Sequence, residues 1–176
     1  LFPCRSLNDE ISKIVNFSEM NADLSVGVIV EPTKLRKKIE SEISNRIQGT
    51  ELEVQTYDSD KKDDADDMDL ETGGMITVIC GASCKGLEFD AVFLPCLETY
   101  PVNPGDIDNF KMGMYVRTSR ARDYVFLSYS SREGGKPAIL KYFPDQLQGD
   151  ADSNWIENPS PSTTLTTAQN GSDDVV

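Results

Sequence analysis

Four short apolar runs, "LSVGVIV" (24–30), "MITVIC" (75–80), "DAVFLP" (90–95) and "YVFLSYS" (124–130), alternate with stretches whose apolar residues recur at helical spacing. Strands that are apolar along their whole length need cover on both faces, which parallel sheets obtain from crossover helices. The pattern predicts an α/β layer structure with a mainly parallel sheet. Ser6 can cap a helix in which Leu7, Ile11, Ile14 and Val15 share one face. Pro32 opens "PTKLRKKIESEISNRI", where Leu35, Ile39, Ile43 and Ile47 form a stripe that Gly49 is placed to end. "ELEVQTY" (51–57) then alternates like another strand, and residues 107–122 read as a helix carrying Met112, Tyr115 and Val116.

A chain of 176 residues with 38% hydrophobic content is one domain with enough material for a core. Its formal charge of −13 is concentrated in two places. Residues 57–71 hold eight acids against Lys61 and Lys62, and residues 150–176 hold five acids and no base. The remainder is nearly neutral, so the total does not exclude a polyanionic partner. Both acidic stretches lack the periodic apolar residues that offset the entropy of ordering. We expect a domain over 1–147, with 57–74 as a flexible acidic loop and 148–176 as a disordered acidic tail. Trp155 and Ile156 offer the tail an alternative role as a partner-binding peptide, against its composition.

The cysteines, Cys4, Cys80, Cys84 and Cys96, lack the paired spacing of a zinc site, and the chain has no histidine. Reduced thiols and no metal are expected. The sequence opens on Leu1 without a basic-then-apolar leader and contains no apolar run of bilayer length, which predicts an excerpt of a longer, soluble, cytoplasmic protein with no membrane partner. Lys34, Arg36, Lys37 and Lys38 read as the solvated outer face of an amphipathic helix rather than a nucleic-acid contact.

Between two of the apolar runs lies the polar stretch "CGASCKGLEFD" (80–90). In open α/β sheets ligands gather where loops leave the carboxyl ends of strands, and this loop follows such a strand. Gly81, Ala82, Ser83 and Gly86 let a backbone approach another molecule, while Ser83 and Lys85 offer a hydroxyl and a cation to a phosphate.

"SCKGLEFDAVFL" resembles motif V of the UvrD/Rep/PcrA-type superfamily 1 helicases, H-S-A-K-G-L-E-F-D-x-V-F-L. "YVRTSRAR" (115–122) resembles their motif VI, Y-V-A-L-T-R-A-R, and "LFPCRS" near the start resembles motif IV, N-Y-R-S. Three matches in the family's order, each at a strand or helix boundary, are far more specific than one. The resemblance covers residues 1 to about 130. It implies the second RecA-like domain of such a helicase: a three-layer, P-loop NTPase-type α/β fold without its own phosphate-binding loop.

In that family ATP lies between two RecA-like domains. The first supplies the phosphate loop and the acids that hold Mg2+; the second supplies arginines to the charge developing on the phosphoryl oxygens. The resemblance implies Arg120 as the arginine finger, Arg5 as a second γ-phosphate contact, and Glu88, in the loop with Gly86, as acceptor from the ribose. Ser83 and Lys85 fall in the part of motif V near single-stranded nucleic acid. Arg122 is equally readable as a salt bridge to Asp123 or another acid of the domain. Cys4 replaces the motif IV tyrosine that stacks on adenine, Ala82 replaces the motif V histidine, and Cys80 replaces a threonine.

Only the acidic loop stands where UvrD carries a large inserted domain, as in compact UvrD-like and HelD-like proteins. No G-x4-G-K-[ST] loop occurs, and "EGGKPA" (133–138) is no substitute because Pro137 replaces the hydroxyl residue. The expected role is the C-terminal motor domain of an ATP-dependent DNA helicase or translocase. Its partners would be single-stranded DNA or a duplex junction, an N-terminal RecA-like domain, and any protein bound by the acidic loop or tail. The isolated chain is expected not to hydrolyse ATP. The rival reading is a catalytically weakened module that docks a nuclease or RNA polymerase; a nucleotide-independent α/β scaffold would leave the three motifs unexplained.

Overall fold

The computed structural model describes residues 1–31, 33–57, 72–130 and 136–144. Most of the expected acidic loop and the whole expected tail, with Trp155 and Ile156, lie outside the described residues. The elements run β1 (Phe2–Cys4), α1 (Leu7–Met20), β2 (Val26–Val30), α2 (Thr33–Arg46), β3 (Glu53–Tyr57), β4 (Met75–Cys80), β5 (Phe89–Leu94), α3 (Ile107–Thr118) and β6 (Ala121–Ser130). Short 3-10 turns occur at Gly81–Ser83, Leu97–Thr99 and Ala138–Tyr142. No helix among the described residues is long and apolar enough to cross a membrane.

The strands form one sheet in the order β1-β6-β5-β2-β4-β3, parallel at every pairing. The apolar runs are explained by what covers them. Val28, Val78, Phe93 and Phe126 face Ile11, Ile14, Phe17, Ile39 and Ile43 of α1 and α2. Their neighbours Ile29, Ile79, Val92 and Leu127 face the opposite side, against Cys84, Leu97, Tyr100, Met114 and Leu140. Successive residues thus belong to different cores, as period-two geometry requires.

Ser6 caps α1, its hydroxyl accepting from the Asp9 N–H at 3.3 Å. Phe17 then packs edge-on against Phe93, Tyr124 and Phe126 at centroid distances of 5.4, 6.1 and 5.0 Å. Gly49 follows α2 with φ +86°, the left-handed conformation that favours glycine at a helix end.

Three expectations change. The helix expected over 107–122 stops at Thr118, and β6 begins at Ala121, because the Phe89 N–H bonds to the Arg120 carbonyl and draws the chain into the sheet. β1 is an additional strand, too short for periodicity to reveal; Pro3 is tolerated there because β1 is at the sheet edge. Arg36 does not lie on a solvated face: it is 5% exposed and donates from Nη1 to the Tyr57 carbonyl at 2.8 Å, leaving Lys34, Lys37 and Lys38 exposed.

Candidate nucleotide and nucleic-acid interface

β4 and β5 are parallel with β2 between them, so residues 81–88 must return from the carboxyl end of the sheet to its amino end. They do so on the face that α3 covers. Gly81–Ser83 make one 3-10 turn, and Cys84 is buried with its thiol donating to the Gly81 carbonyl at 3.1 Å. Burial pushes the Cys84 thiol up, which makes it a packing residue rather than a nucleophile. Ser83 is buried; Lys85, Gly86 and Glu88 are exposed. Gly86 has φ +85° and open space where a Cβ would stand, so backbone conformation rather than crowding calls for glycine there.

The amino ends of β5 and β6 carry the polar rim where this loop finishes. Arg120 is held by three acceptors: Nε to the Val116 carbonyl at 3.0 Å, Nη1 to the Leu87 carbonyl at 3.4 Å, and Nη2 to the Ser119 hydroxyl at 3.0 Å. The helix end and the loop are thereby joined through one guanidinium, next to Glu88. Arg122 ends the ambiguity in favour of acids of the domain, but not Asp123. It reaches Glu88 and Asp90, each at 3.5 Å. Burial opposes the charge on Asp90, but bonds from the Ser25 N–H and hydroxyl, together with the Arg122 guanidinium, hold its carboxyl below the usual range.

The Glu88 side chain is 60% exposed and that of Arg122 is 45% exposed, and exposed pairs of this kind contribute only about 0–1 kcal/mol. A ribose hydroxyl could therefore displace Arg122 from Glu88 at small cost.

Arg5 is not part of this rim. It follows β1, whose Cys4 is level with Ser130, whereas Arg120 precedes Ala121, which is level with Phe89. The length of β6 separates them, about 30 Å at about 3.3 Å per residue. The Arg5 side chain is 93% exposed and pairs with Asp9 at 3.6 Å. The expected set of Arg5, Glu88, Gly86 and Arg120 is thus divided, because β1 runs parallel to β6 beside its last residues.

Motif matching missed Arg117. It stands where the motif VI pattern has alanine, and that departure was the available signal. Its Nη2 donates to Glu31 at 2.7 Å and its guanidinium lies 5.6 Å from the Tyr100 ring. A Cβ on Gly81 would come within 2.4 Å of Arg117 Nε, so glycine is what lets the loop start close over the guanidinium. Beside Arg117, a cavity of about 340 Å³ opens between α3 and the segment at Tyr100, Pro101 and Asn103.

The rim offers a guanidinium and a carboxylate, which suit a phosphate oxygen and a ribose hydroxyl. Among the described residues the rim has no phosphate-cradling loop.

No family model and no curated protein matches the sequence. Solved structures do match. The C-terminal domain of a possible DNA helicase from Lactobacillus plantarum WCFS1 superposes with a TM-score of 0.59 at 17% identity, over 83% of this chain and 80% of that one. The C-terminal domain of the DEAD-box protein Dbp5 gives 0.52 at 15% identity, over 82% and 84%. S. cerevisiae Dbp5 bound to RNA and ADP BeF3 gives 0.51 at 18% identity, over 82% of this chain but 38% of that one. With its six-stranded parallel sheet covered on both faces, the chain has the α/β fold of RecA-like helicase C-terminal domains.

Proposed function

We propose that this chain is the C-terminal motor domain of an ATP-dependent superfamily 1 DNA helicase or translocase. Arg120 acts as arginine finger and Glu88 as ribose contact, both toward ATP and Mg2+ held mainly by an N-terminal RecA-like domain outside this sequence. The observation that carries the reading is the joining of two distant motifs: Arg120 bonds to the Leu87 carbonyl, immediately before Glu88. The superfamily 1 assignment rests on "SCKGLEFDAVFL" and "YVRTSRAR"; the fold is shared with DEAD-box domains and is neutral on that point.

Gly86 gives the nucleotide a close approach to the backbone, and Lys85 is free to meet nucleic-acid phosphates at the surface. Ser83 is buried in this structure, so it acts by holding the 3-10 turn or is uncovered when nucleic acid arrives. Arg5 is left out of the nucleotide set.

The test is Arg120→Ala in the complete protein, measuring nucleic-acid-stimulated ATP hydrolysis. Arginine fingers are typically worth about 10³ to 10⁵ in rate, so turnover should fall by at least about 10³ while nucleic-acid binding persists. Unaltered turnover overturns the assignment.

A further inference from the structure

At the carboxyl end of the sheet, remote from the Arg120 rim, Glu10 projects from the first turn of α1 with 1% of its surface exposed. It makes no ion pair within the described residues. A buried carboxylate is as a rule paired with a cation or bound to a metal. Glu10 instead accepts from the Cys96 N–H at 2.8 Å, the Ser128 hydroxyl at 2.6 Å and the Ser130 hydroxyl. The Cys96 thiol is aimed at its Oε1, 3.7 Å away.

Glu98 brings a second carboxylate, and the ligand atoms of Glu10, Cys96 and Glu98 all lie within 4.8 Å of one another. One thiol and two carboxylates therefore converge, a donor set of mixed sulfur and oxygen rather than a patch of acids.

The spacing suits a metal. Zinc takes sulfur at about 2.3 Å and carboxylate oxygen at about 2.0 Å, so a tetrahedral angle sets those atoms about 3.5 Å apart. The Cys96 Sγ to Glu10 Oε1 separation is 3.7 Å. Magnesium and calcium prefer all-oxygen shells, whereas thiolate ligands select zinc-like ions.

We infer that Glu10, Cys96 and Glu98, with solvent as fourth donor, form a zinc-class divalent metal site that ties α1 to the turn after β5. Glu98, whose Oε2 accepts from the Ser130 N–H at 3.1 Å, closes the shell from the surface side. Ser128 and Ser130 orient Glu10 from outside it. The Cys96 sulfur–hydrogen bond breaks as the sulfur–metal bond forms; the proton leaves to solvent and no electron is transferred.

The experiment is a titration of the purified chain, stripped with a chelator, using Co2+ as an optical stand-in and then Zn2+ in competition. One equivalent of Co2+ should produce a sulfur-to-metal charge-transfer band that Zn2+ abolishes, with release of at least one proton per metal. Cys96→Ser should remove the band. Glu98→Gln, at an exposed position, should weaken binding by at least about tenfold. Cys80→Ser should leave both unchanged. Circular dichroism checks that each variant is folded. Absence of the band at one equivalent overturns the inference, as does a band that survives Cys96→Ser or an unchanged affinity in folded Glu98→Gln.

Discussion

Arg117 and Glu31 offer a quantitative test of what fixes the start of the 81–88 loop. Their side chains are 18% and 24% exposed, with Nη2 and Oε1 2.7 Å apart. With charge centres about 4 Å apart and an effective dielectric constant of about 20, the attraction is about 4 kcal/mol before desolvation. Withdrawing both groups from water offsets much of that, and the residual exposure screens more, leaving a coupling of about 1–2 kcal/mol. Arg117 Nε is also buried without a hydrogen-bond partner, which lowers the gain from keeping the arginine. Arg117→Met retains the stem against Tyr100 but leaves Glu31 unpaired and should cost about 2 kcal/mol. Glu31→Gln should cost about 1.5 kcal/mol. The double variant should lose about 2 kcal/mol rather than the sum, because the second change removes a charge that the first had stranded. Urea unfolding followed by circular dichroism reads this, since 2 kcal/mol moves the midpoint by about 1 M at an m-value of about 2 kcal/mol/M. Losses that add within about 0.3 kcal/mol would show that the pair is not coupled and does not anchor the loop.

Two further outcomes follow from the same contacts. Asp90 titrates below the ordinary carboxylate range when folded, so its stabilising contribution is complete above about pH 4 and is lost as pH falls through the folded value. Asp90→Asn should therefore lower the urea midpoint at pH 7 and make much less difference at pH 3; an equal loss at both would refute the charge argument. A Cβ on Gly27 would lie 2.4 Å from Phe89 Cδ2, so Gly27→Ala should destabilise by about 1–3 kcal/mol, measured by thermal melting. An unshifted melting temperature would mean the Phe89 ring yields freely.

The sheet was legible because burial on both faces writes itself as unbroken apolar runs, as in "MITVIC", and α1 was legible from Ser6 and its apolar spacing. What local sequence does not encode is which ends of separate strands lie level. Arg5 and Arg120 share a motif set, yet the parallel pairing of β1 with the last residues of β6 sets them a strand apart. Glu10, Cys96 and Glu98, the ligands proposed above, match no spacing rule because a helix and a distant turn bring them together. Arg36 looked solvated because helical spacing gives its side but not its neighbour, the Tyr57 carbonyl.

The loop between β4 and β5 has no helix of its own, so α3 is what disciplines it. Arg117 meets its first residue, Gly81, and Arg120, one helical turn on, bonds its seventh, Leu87. One helix end thus grips the loop near both of its ends, one beside the residues proposed to meet nucleic acid and the other beside those proposed to meet nucleotide. On that reading, a phosphate that draws Arg120 off the Leu87 carbonyl loosens the loop's anchor at the amino end of the sheet and loads the same backbone turn that carries Arg117. The Arg117–Glu31 pair, at 2.7 Å, is shorter than the 3.4 Å bond from Arg120 to the Leu87 carbonyl, so the nucleotide end yields first and the nucleic-acid end follows only through α3. Coupling between the two ligands would then depend on the rigidity of residues 117–120. Neither ligand needs to touch that turn's backbone for this to hold.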